Sequence, residues 1–104
     1  MHVPMAVTRQ SQINDVVAEI ERELAGDVVH IRYSIDTDWS GDWAIFFRVV
    51  LTDAASRGRR LKLAASKVRA ALSDRLKPLD LGLIVYSNFR SQSELVALPE
   101  EAWV

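Results

Sequence analysis

The sequence predicts a single α+β domain with the element order α-β-β-α-β-α. Apolar residues recur at helical spacing in two long segments, and they alternate along shorter segments between and after these helices. A chain of 104 residues, about half of them apolar and a quarter charged, is large enough for one hydrophobic core. We therefore expect one domain over residues 8–104, preceded by a flexible leader at residues 1–7.

The first helix is predicted from an amphipathic stripe. Apolar residues fall at positions i, i+3, i+4, i+7 and i+11, namely Ile13, Val16, Val17, Ile20 and Leu24. Thr8 or Ser11 is expected to cap the start of this helix, and Gly26 to end it in a left-handed conformation. The outward face is acidic and carries Asp15, Glu19, Glu21 and Glu23.

A β-hairpin is predicted next, with strands from Val28 to Asp36 and from about Asp42 to Thr52. Placing Asp36 opposite Asp42 makes four cross-strand pairs apolar on both sides: Ile35 with Trp43, Tyr33 with Ile45, Ile31 with Phe47, and Val29 with Val49. This face is expected to be core. The opposite face carries basic and aromatic residues.

A second helical region is predicted at residues 53–76, bent or broken near Gly58. Its buried stripe consists of Leu61, Ala65, Val68, Leu72 and Leu76. This region connects the second strand to the third.

A third strand is predicted at residues 81–87, followed by a turn at residues 88–90. The spacing of Ser91 and Glu94 is that of a capping box and predicts a short last helix, which Pro99 ends.

The helical connection favours a right-handed crossover, which makes the second and third strands parallel. We expect the first strand between them, in a three-stranded mixed sheet of order 2-1-3 with two helices on one face. The other face then stays open, and an open face this apolar favours a partner. The candidate partner-binding residues are Arg32, Trp39, Phe46, Arg48 and Tyr86.

This open face suits a second protein, another copy of the chain, or RNA. Arginine and aromatic residues are enriched at protein interfaces, and aromatic residues on a sheet also stack bases in RNA-binding domains. For Trp39, packing against the C-terminal segment and contact with a partner both remain open.

The charge is strongly segregated. Residues 57–77 hold eight cations and one anion, whereas residues 1–56 carry a net charge of −5 and residues 78–104 a net charge of −3. Such a basic segment either binds an anionic partner or solvates the helix and pairs with the acidic first helix. The candidate nucleic-acid-binding residues are Arg57, Arg59, Arg60, Lys62, Lys67 and Arg69.

No catalytic, cofactor or metal site is expected. The chain has no cysteine, and His30 has no nucleophile or carboxylate at a recognisable spacing. The aspartates of the hairpin loop, Asp36, Asp38 and Asp42, do not match a calcium loop, and Asp also favours turns for backbone reasons. No signal peptide or membrane span is recognisable, so a cytoplasmic protein that is not an enzyme is expected.

The stretch at residues 38–51 (DWSGDWAIFFRVVL), together with VYSNFRSQSE at residues 85–94, resembles small bacterial proteins of unknown function. Those proteins are often encoded beside HEPN-domain proteins, a class that includes toxin ribonucleases. The resemblance implies an antitoxin-like or regulatory partner of such a protein. The usual antitoxin of these modules resembles a minimal nucleotidyltransferase, whose Gly-Ser phosphate loop this chain lacks.

The element order is also similar to that of type II KH domains, such as the ribosome-binding factor A family. This resemblance implies RNA binding by the basic helix. The G-x-x-G loop of KH domains corresponds to residues 58–61 here, where the second glycine is missing. The sequence therefore favours a protein-interaction module without catalytic activity, with a KH-like RNA-binding protein as the alternative.

Overall fold

A computed structural model describes residues 9–97, and its elements follow the predicted order α-β-β-α-β-α. They are α1 Gln10–Glu23, β1 Val28–Thr37, β2 Trp43–Leu51, α2 Gly58–Leu76, a 3₁₀ turn Lys77–Leu79, β3 Ile84–Ser91 and α3 Gln92–Ala97. The predicted leader, the capping role of Thr8 and the ending of the last helix at Pro99 lie outside the described residues. None of the helices in residues 9–97 is long and apolar enough to cross a bilayer.

The strands form one mixed sheet in the order β1-β2-β3. β2 pairs antiparallel with β1 and parallel with β3, so the predicted parallel relation of the second and third strands is confirmed. The predicted order 2-1-3 is wrong. β2 is the most apolar strand and takes the centre, because a central strand is flanked by strands on both edges and is the most buried of the three.

β1 lies at an edge of the sheet, and its composition suits that place. His30, Arg32 and Asp36 are exposed along it. A side chain of α1 also covers part of its outer edge, because the Ile31 backbone N–H donates to Glu21 Oε2 at 2.7 Å. A side-chain acceptor of this kind satisfies a donor on the side of β1 where no strand of residues 9–97 pairs.

The hairpin register differs from the predicted one by two residues. Ile35 lies opposite Ile45, Tyr33 opposite Phe47, and Ile31 opposite Val49. A two-residue shift leaves side chains on their predicted faces, because side chains alternate with a period of two. A β-bulge between Val28 and His30 breaks this alternation at the start of β1. The predicted core pair of Val29 with Val49 is therefore wrong: Val28 is buried and Val29 is 43% exposed. From residue 30 onward, the division into a core face and an opposite face holds.

The shift follows from a tighter turn at the hairpin tip. The Asp38 backbone N–H donates to the Asp42 carbonyl at 2.8 Å, so residues 36 and 37 pair within the sheet. The Asp38 carboxylate accepts from the backbone N–H groups of Ser40 at 2.9 Å and Asp42 at 3.0 Å. Such side-chain hydrogen bonds stabilise a compact turn that strand patterning alone does not reveal.

α1 and α2 pack on the same face of the sheet, as predicted. Ile13 and Ile20 of α1, and Val68 and Leu72 of α2, are buried in one cluster with Phe47. Phe47 is fully buried at the centre of β2 and is among the largest buried side chains. The central strand therefore supplies the middle of the core.

Several predicted element ends move. α2 begins at Gly58, where φ is +53°, and the chain before it forms turns, so Leu61 in the first turn stays 39% exposed. At the start of α1, no side-chain hydrogen bond caps the helix at Arg9. At its end, Gly26 lacks a positive φ, because α1 already ends at Glu23 with Leu24 as the C-cap residue. A left-handed cap is therefore not needed there.

The third strand runs later than predicted, through the segment predicted as a turn. Pairing with β2 extends to Ser91 opposite Leu51. The capping box of the last helix is confirmed: the Ser91 N–H donates to Glu94 Oε1 at 3.2 Å, and the Glu94 N–H donates to Ser91 Oγ at 3.1 Å.

Replacing Phe47 with Ala is expected to lower the free energy of unfolding by about 3–5 kcal/mol, because it leaves a cavity in the middle of the core. Leu63 of α2 is 61% exposed, so the control Leu63→Ala is expected to change it by less than about 0.5 kcal/mol. Urea denaturation measures both values. Equal losses in the two variants would contradict this core assignment.

Candidate functional site

The open face of the sheet is organised in rows that run across all three strands. Ser34, Phe46 and Tyr86 form one row, which the pairing of β2 with both neighbours aligns. Arg32 and Arg48 lie opposite each other in the next row, where Asn88 completes it on β3. Four of the five predicted partner-binding residues therefore lie in two adjacent rows.

Trp39, Phe46 and Tyr86 form an aromatic cluster on this face. The rings of Phe46 and Tyr86 are stacked, with centroids 5.2 Å apart and planes 12° apart. Trp39 reaches from the hairpin tip to Tyr86, with ring centroids 5.4 Å apart. Trp39 nevertheless stays 83% exposed. The structure thus brings the predicted aromatic residues together, with the indole facing solvent.

Asp38 connects the hairpin tip to this cluster. The Tyr86 hydroxyl donates to Asp38 Oδ2 at 2.9 Å, while the other carboxylate oxygen accepts the two backbone N–H groups of the turn. Because Asp38 binds both the turn and β3, it fixes the position of Trp39 between them. Sequence reasoning treated Asp38 as a turn residue and missed this contact, since the contact depends on the strand order.

The same hydrogen bonds set the ionisation of both groups. Partial desolvation acts to raise the pKa of Asp38, but hydrogen bonds from Tyr86 and from the turn outweigh it and lower that pKa below 3.8. The hydrogen bond to Asp38, with desolvation and the nearby charges of Asp38 and Asp42, raises the pKa of Tyr86 above 10.0. Tyr86 is therefore a firmly protonated donor to a carboxylate.

A groove of about 590 Å³ lies along the aromatic cluster. Its lining also includes Asp36 and Asp38 at one end and Arg48 at the other. An apolar surface with a few charged groups at its margins is typical of a recognition site, because aromatic area supplies affinity and the charges supply orientation.

The guanidinium group of Arg48 has a hydrogen-bond donor that is unsatisfied within residues 9–97. Its Nε atom is buried and has no hydrogen-bond acceptor among the described residues. Arg32, directly opposite on β1, donates its Nε–H to His30 Nε2 at 3.2 Å. Like charges directly opposite in a sheet are unfavourable, and an unsatisfied buried donor costs about 1–3 kcal/mol. An acceptor brought by a partner would relieve both.

His30 has a carboxylate partner that sequence spacing did not reveal. Glu21 Oε2, the same oxygen that accepts from Ile31, lies 2.9 Å from His30 Nδ1. Because His30 Nε2 accepts from Arg32, the hydrogen-bond pattern assigns a proton to Nδ1. The Nδ1 contact holds β1 against α1, whereas the Nε2 contact lies within β1.

The basic helix has one flank that is neutralised by acidic residues near α1. Arg60 Nη2 lies 2.9 Å from Asp27 Oδ1, and Lys67 Nζ lies 3.8 Å from the other oxygen of Asp27. Further along α2, Arg75 pairs with Glu19 and Glu23. On this flank the structure supports pairing with the acidic first helix, the second of the two functions predicted for the basic segment.

The opposite flank of α2 faces β3. Arg69 lies over the ring of Phe89, 5.0 Å from its centroid, and donates to Ser87 Oγ at 3.3 Å. Lys62 is exposed and lines the same groove as Arg69, while Arg57 and Arg59 are exposed at the start of the helix. The six predicted nucleic-acid-binding residues therefore divide between separate surfaces and do not make one continuous patch.

The hairpin-loop aspartates hold the turn together. Asp38 is fully engaged as described above, and Asp36 accepts from the Thr37 backbone N–H at 2.7 Å. Within residues 9–97, no group of three or more histidines and carboxylates has the arrangement of a metal site. The turn accounts for these aspartates by backbone stabilisation.

Comparisons with protein-family models, with curated proteins and with solved structures return no match for this chain.

Replacing Tyr86 with Phe is expected to raise the pKa of Asp38 toward its ordinary 3.8, because a strong donor to the carboxylate is lost. In the native protein the lowered pKa stabilises the fold above pH 3.8, and this stabilisation is lost as the pH falls through the folded-state pKa. Carboxyl chemical shifts followed by NMR during acid titration measure the change.

Tyr33 provides the matched control, because its hydroxyl donates to Asn14 Oδ1 at 2.6 Å, away from the hairpin tip. Tyr33→Phe is expected to leave the Asp38 titration unchanged. The account of this site fails if Tyr86→Phe leaves it unchanged as well.

Proposed function

We propose that this chain is a non-enzymatic interaction module that binds a second protein through its open sheet face. The aromatic cluster is the centre of the binding surface, and Arg48 and Arg32 lie beside it. The supporting observation is the 83% exposure of Trp39, held in place by Tyr86 and Asp38. Tryptophan, tyrosine and arginine are the residues that most often dominate binding energy at protein interfaces.

The cluster is organised before any partner arrives. Tyr86 is stacked on Phe46 and bonded to Asp38, so little conformational freedom is left for it to lose on binding. Aromatic side chains also have few rotatable bonds for their contact area. A rigid apolar surface therefore binds a complementary protein surface at a low entropic cost.

The charges around the groove favour a protein partner over a uniformly charged polymer. Asp36 and Asp38 line one end, and Arg48 lines the other. A nucleic-acid backbone would meet carboxylates at the aromatic cluster, which is unfavourable. A protein surface can present an apolar side chain to the rings and an acceptor to the buried Nε of Arg48.

The resemblance of residues 38–51 and 85–94 to proteins encoded beside HEPN-domain proteins suggests what the partner is. Both stretches contribute to the proposed surface, since they carry Trp39, Phe46, Arg48 and Tyr86. We therefore propose an antitoxin-like or regulatory role toward a HEPN-type ribonuclease in the bacterial cytoplasm, where a chain without cysteine is at no disadvantage.

The KH-like RNA-binding alternative has weaker support. Arg60 and Lys67, two of its six candidate residues, form ion pairs with Asp27. RNA binding through the remaining cations predicts a steep salt dependence, with a log–log slope of about 0.7 per phosphate contact. An apolar protein interface predicts a much smaller slope.

Co-expression with a HEPN-domain protein of the kind encoded beside the similar small bacterial proteins is expected to yield a stable complex. Trp39→Ala should weaken that complex by about 2 kcal/mol, roughly 30-fold, because a central exposed anchor is removed. Isothermal titration calorimetry at two salt concentrations measures the affinity and its salt dependence together.

Leu63→Ala is the matched control, since Leu63 is exposed on α2 and away from the open face. Its affinity should equal that of the native chain. Equal affinities for Trp39→Ala and the native chain would rule out the aromatic cluster as the binding surface, and a steep salt slope would favour the RNA alternative.

A further inference from the structure

The outer edge of β3 is a second surface, separate from the aromatic cluster. β3 has eight residues and forms one side of the sheet, and within residues 9–97 no further strand pairs with it. Backbone donors and acceptors along such an edge are available to another extended chain. The other edge of the sheet differs, because Glu21 accepts from β1 there.

A groove of about 560 Å³ lies between this edge and α2. Leu61, Ala65 and Phe89 provide its apolar lining, and Lys62 and Arg69 provide its charge. Leu61 is 39% exposed although it lies on the apolar stripe of α2. The groove thus offers apolar contacts and positive charge directly beside an edge with which no other strand of residues 9–97 pairs.

The positive charge in this groove is not neutralised by described carboxylates. Neither Lys62 nor Arg69 forms an ion pair within residues 9–97, whereas Arg60, Lys67 and Arg75 on the other flank all do. Arg69 instead lies over Phe89. Because the ion pairs described for α2 lie on the other flank, the charges of Lys62 and Arg69 stay available to an anionic ligand.

We propose that the β3 edge accepts an extended acidic segment of another protein as a fourth strand. The added backbone pairs with β3, which is the usual source of affinity in strand addition. Side chains of the segment that face α2 carry carboxylates to Lys62 and Arg69. The alternate side chains lie on the opposite face, where Ile84 is 42% exposed, and are apolar.

The charges beside β3 indicate where along the strand the carboxylates of the segment bind. Lys62 and Arg69 lie beside Ser87 and Phe89. At the other end of the strand, the surface near Ile84 carries two carboxylates, Asp42 and Asp80, and one cation, Lys77. The carboxylates of the segment therefore belong at the Phe89 end. A second copy fits less well, because a two-fold axis through the middle of β3 brings Arg69 of each chain together.

The probe is a ten-residue peptide that alternates Glu and Val, and the control peptide alternates Lys and Val. We expect the Glu–Val peptide to bind by fluorescence anisotropy and to slow amide hydrogen exchange along β3. The Lys–Val peptide is expected to do neither, because it meets Lys62 and Arg69 with like charge.

Two double variants, each of which removes two positive charges from one flank of α2, test which surface binds the peptide. Lys62→Gln with Arg69→Gln should weaken Glu–Val binding by about tenfold or more, whereas Arg60→Gln with Lys67→Gln should weaken it less than about twofold. Trp39→Ala should leave it unchanged, which separates this proposal from the proposed function. Far-UV circular dichroism shows whether each variant is folded.

Four results would overturn the proposal. The first is that millimolar Glu–Val peptide does not slow hydrogen exchange along β3, and the second is that both double variants lose the same peptide affinity. The third is that hydrogen exchange along β3 slows as the protein concentration rises without peptide. The fourth is that a ten-nucleotide oligouridylate displaces the peptide. The third result would identify a second copy as the occupant, and the fourth would identify RNA. Protection of β3 that vanishes when residues 98–104 are deleted would likewise overturn it, in favour of that segment.

Discussion

The parallel pairing of β2 with β3 is the constraint on which both proposed surfaces depend. It places Phe46 and Tyr86 in one row, where their rings stack, and it brings the Tyr86 hydroxyl to Asp38. Asp38 in turn fixes the hairpin tip that carries Trp39. The same pairing leaves β3 at the edge beside Lys62 and Arg69, so both surfaces arise from one strand contact.

Charge segregation in the sequence becomes a structural asymmetry in the fold. Asp27, Glu19 and Glu23 neutralise one flank of α2 and help to hold it against α1. Exposed ion pairs of this kind contribute little stability individually, so the burial of apolar side chains contributes most of the stability of this packing. The consequence for binding is larger, because Lys62 and Arg69 on the flank beside β3 have no ion pair within residues 9–97.

Sequence periodicity predicted the features that are encoded within short segments. It did not predict the strand order or the contacts that depend on which strands are neighbours. The stripe of Ile13 and Ile20, the capping box at Ser91 and the faces of both hairpin strands are encoded within short segments. The order of the strands was predicted wrongly, although the apolar run of β2 against the polar residues of β1 indicates which strand is central. The contacts of Glu21 with β1 and of Asp38 with Tyr86 join distant residues, and no spacing rule reports them.

The most direct test of this account is a set of nuclear Overhauser effects between β2 and its neighbours in the uniformly labelled protein. The account predicts backbone contacts of Ala44 with Ile84 and of Phe46 with Tyr86, together with ring-to-ring contacts between Phe46 and Tyr86. Backbone contacts of β3 with β1 in place of these would contradict it, because they would separate Tyr86 from Phe46 and remove the basis of both surfaces.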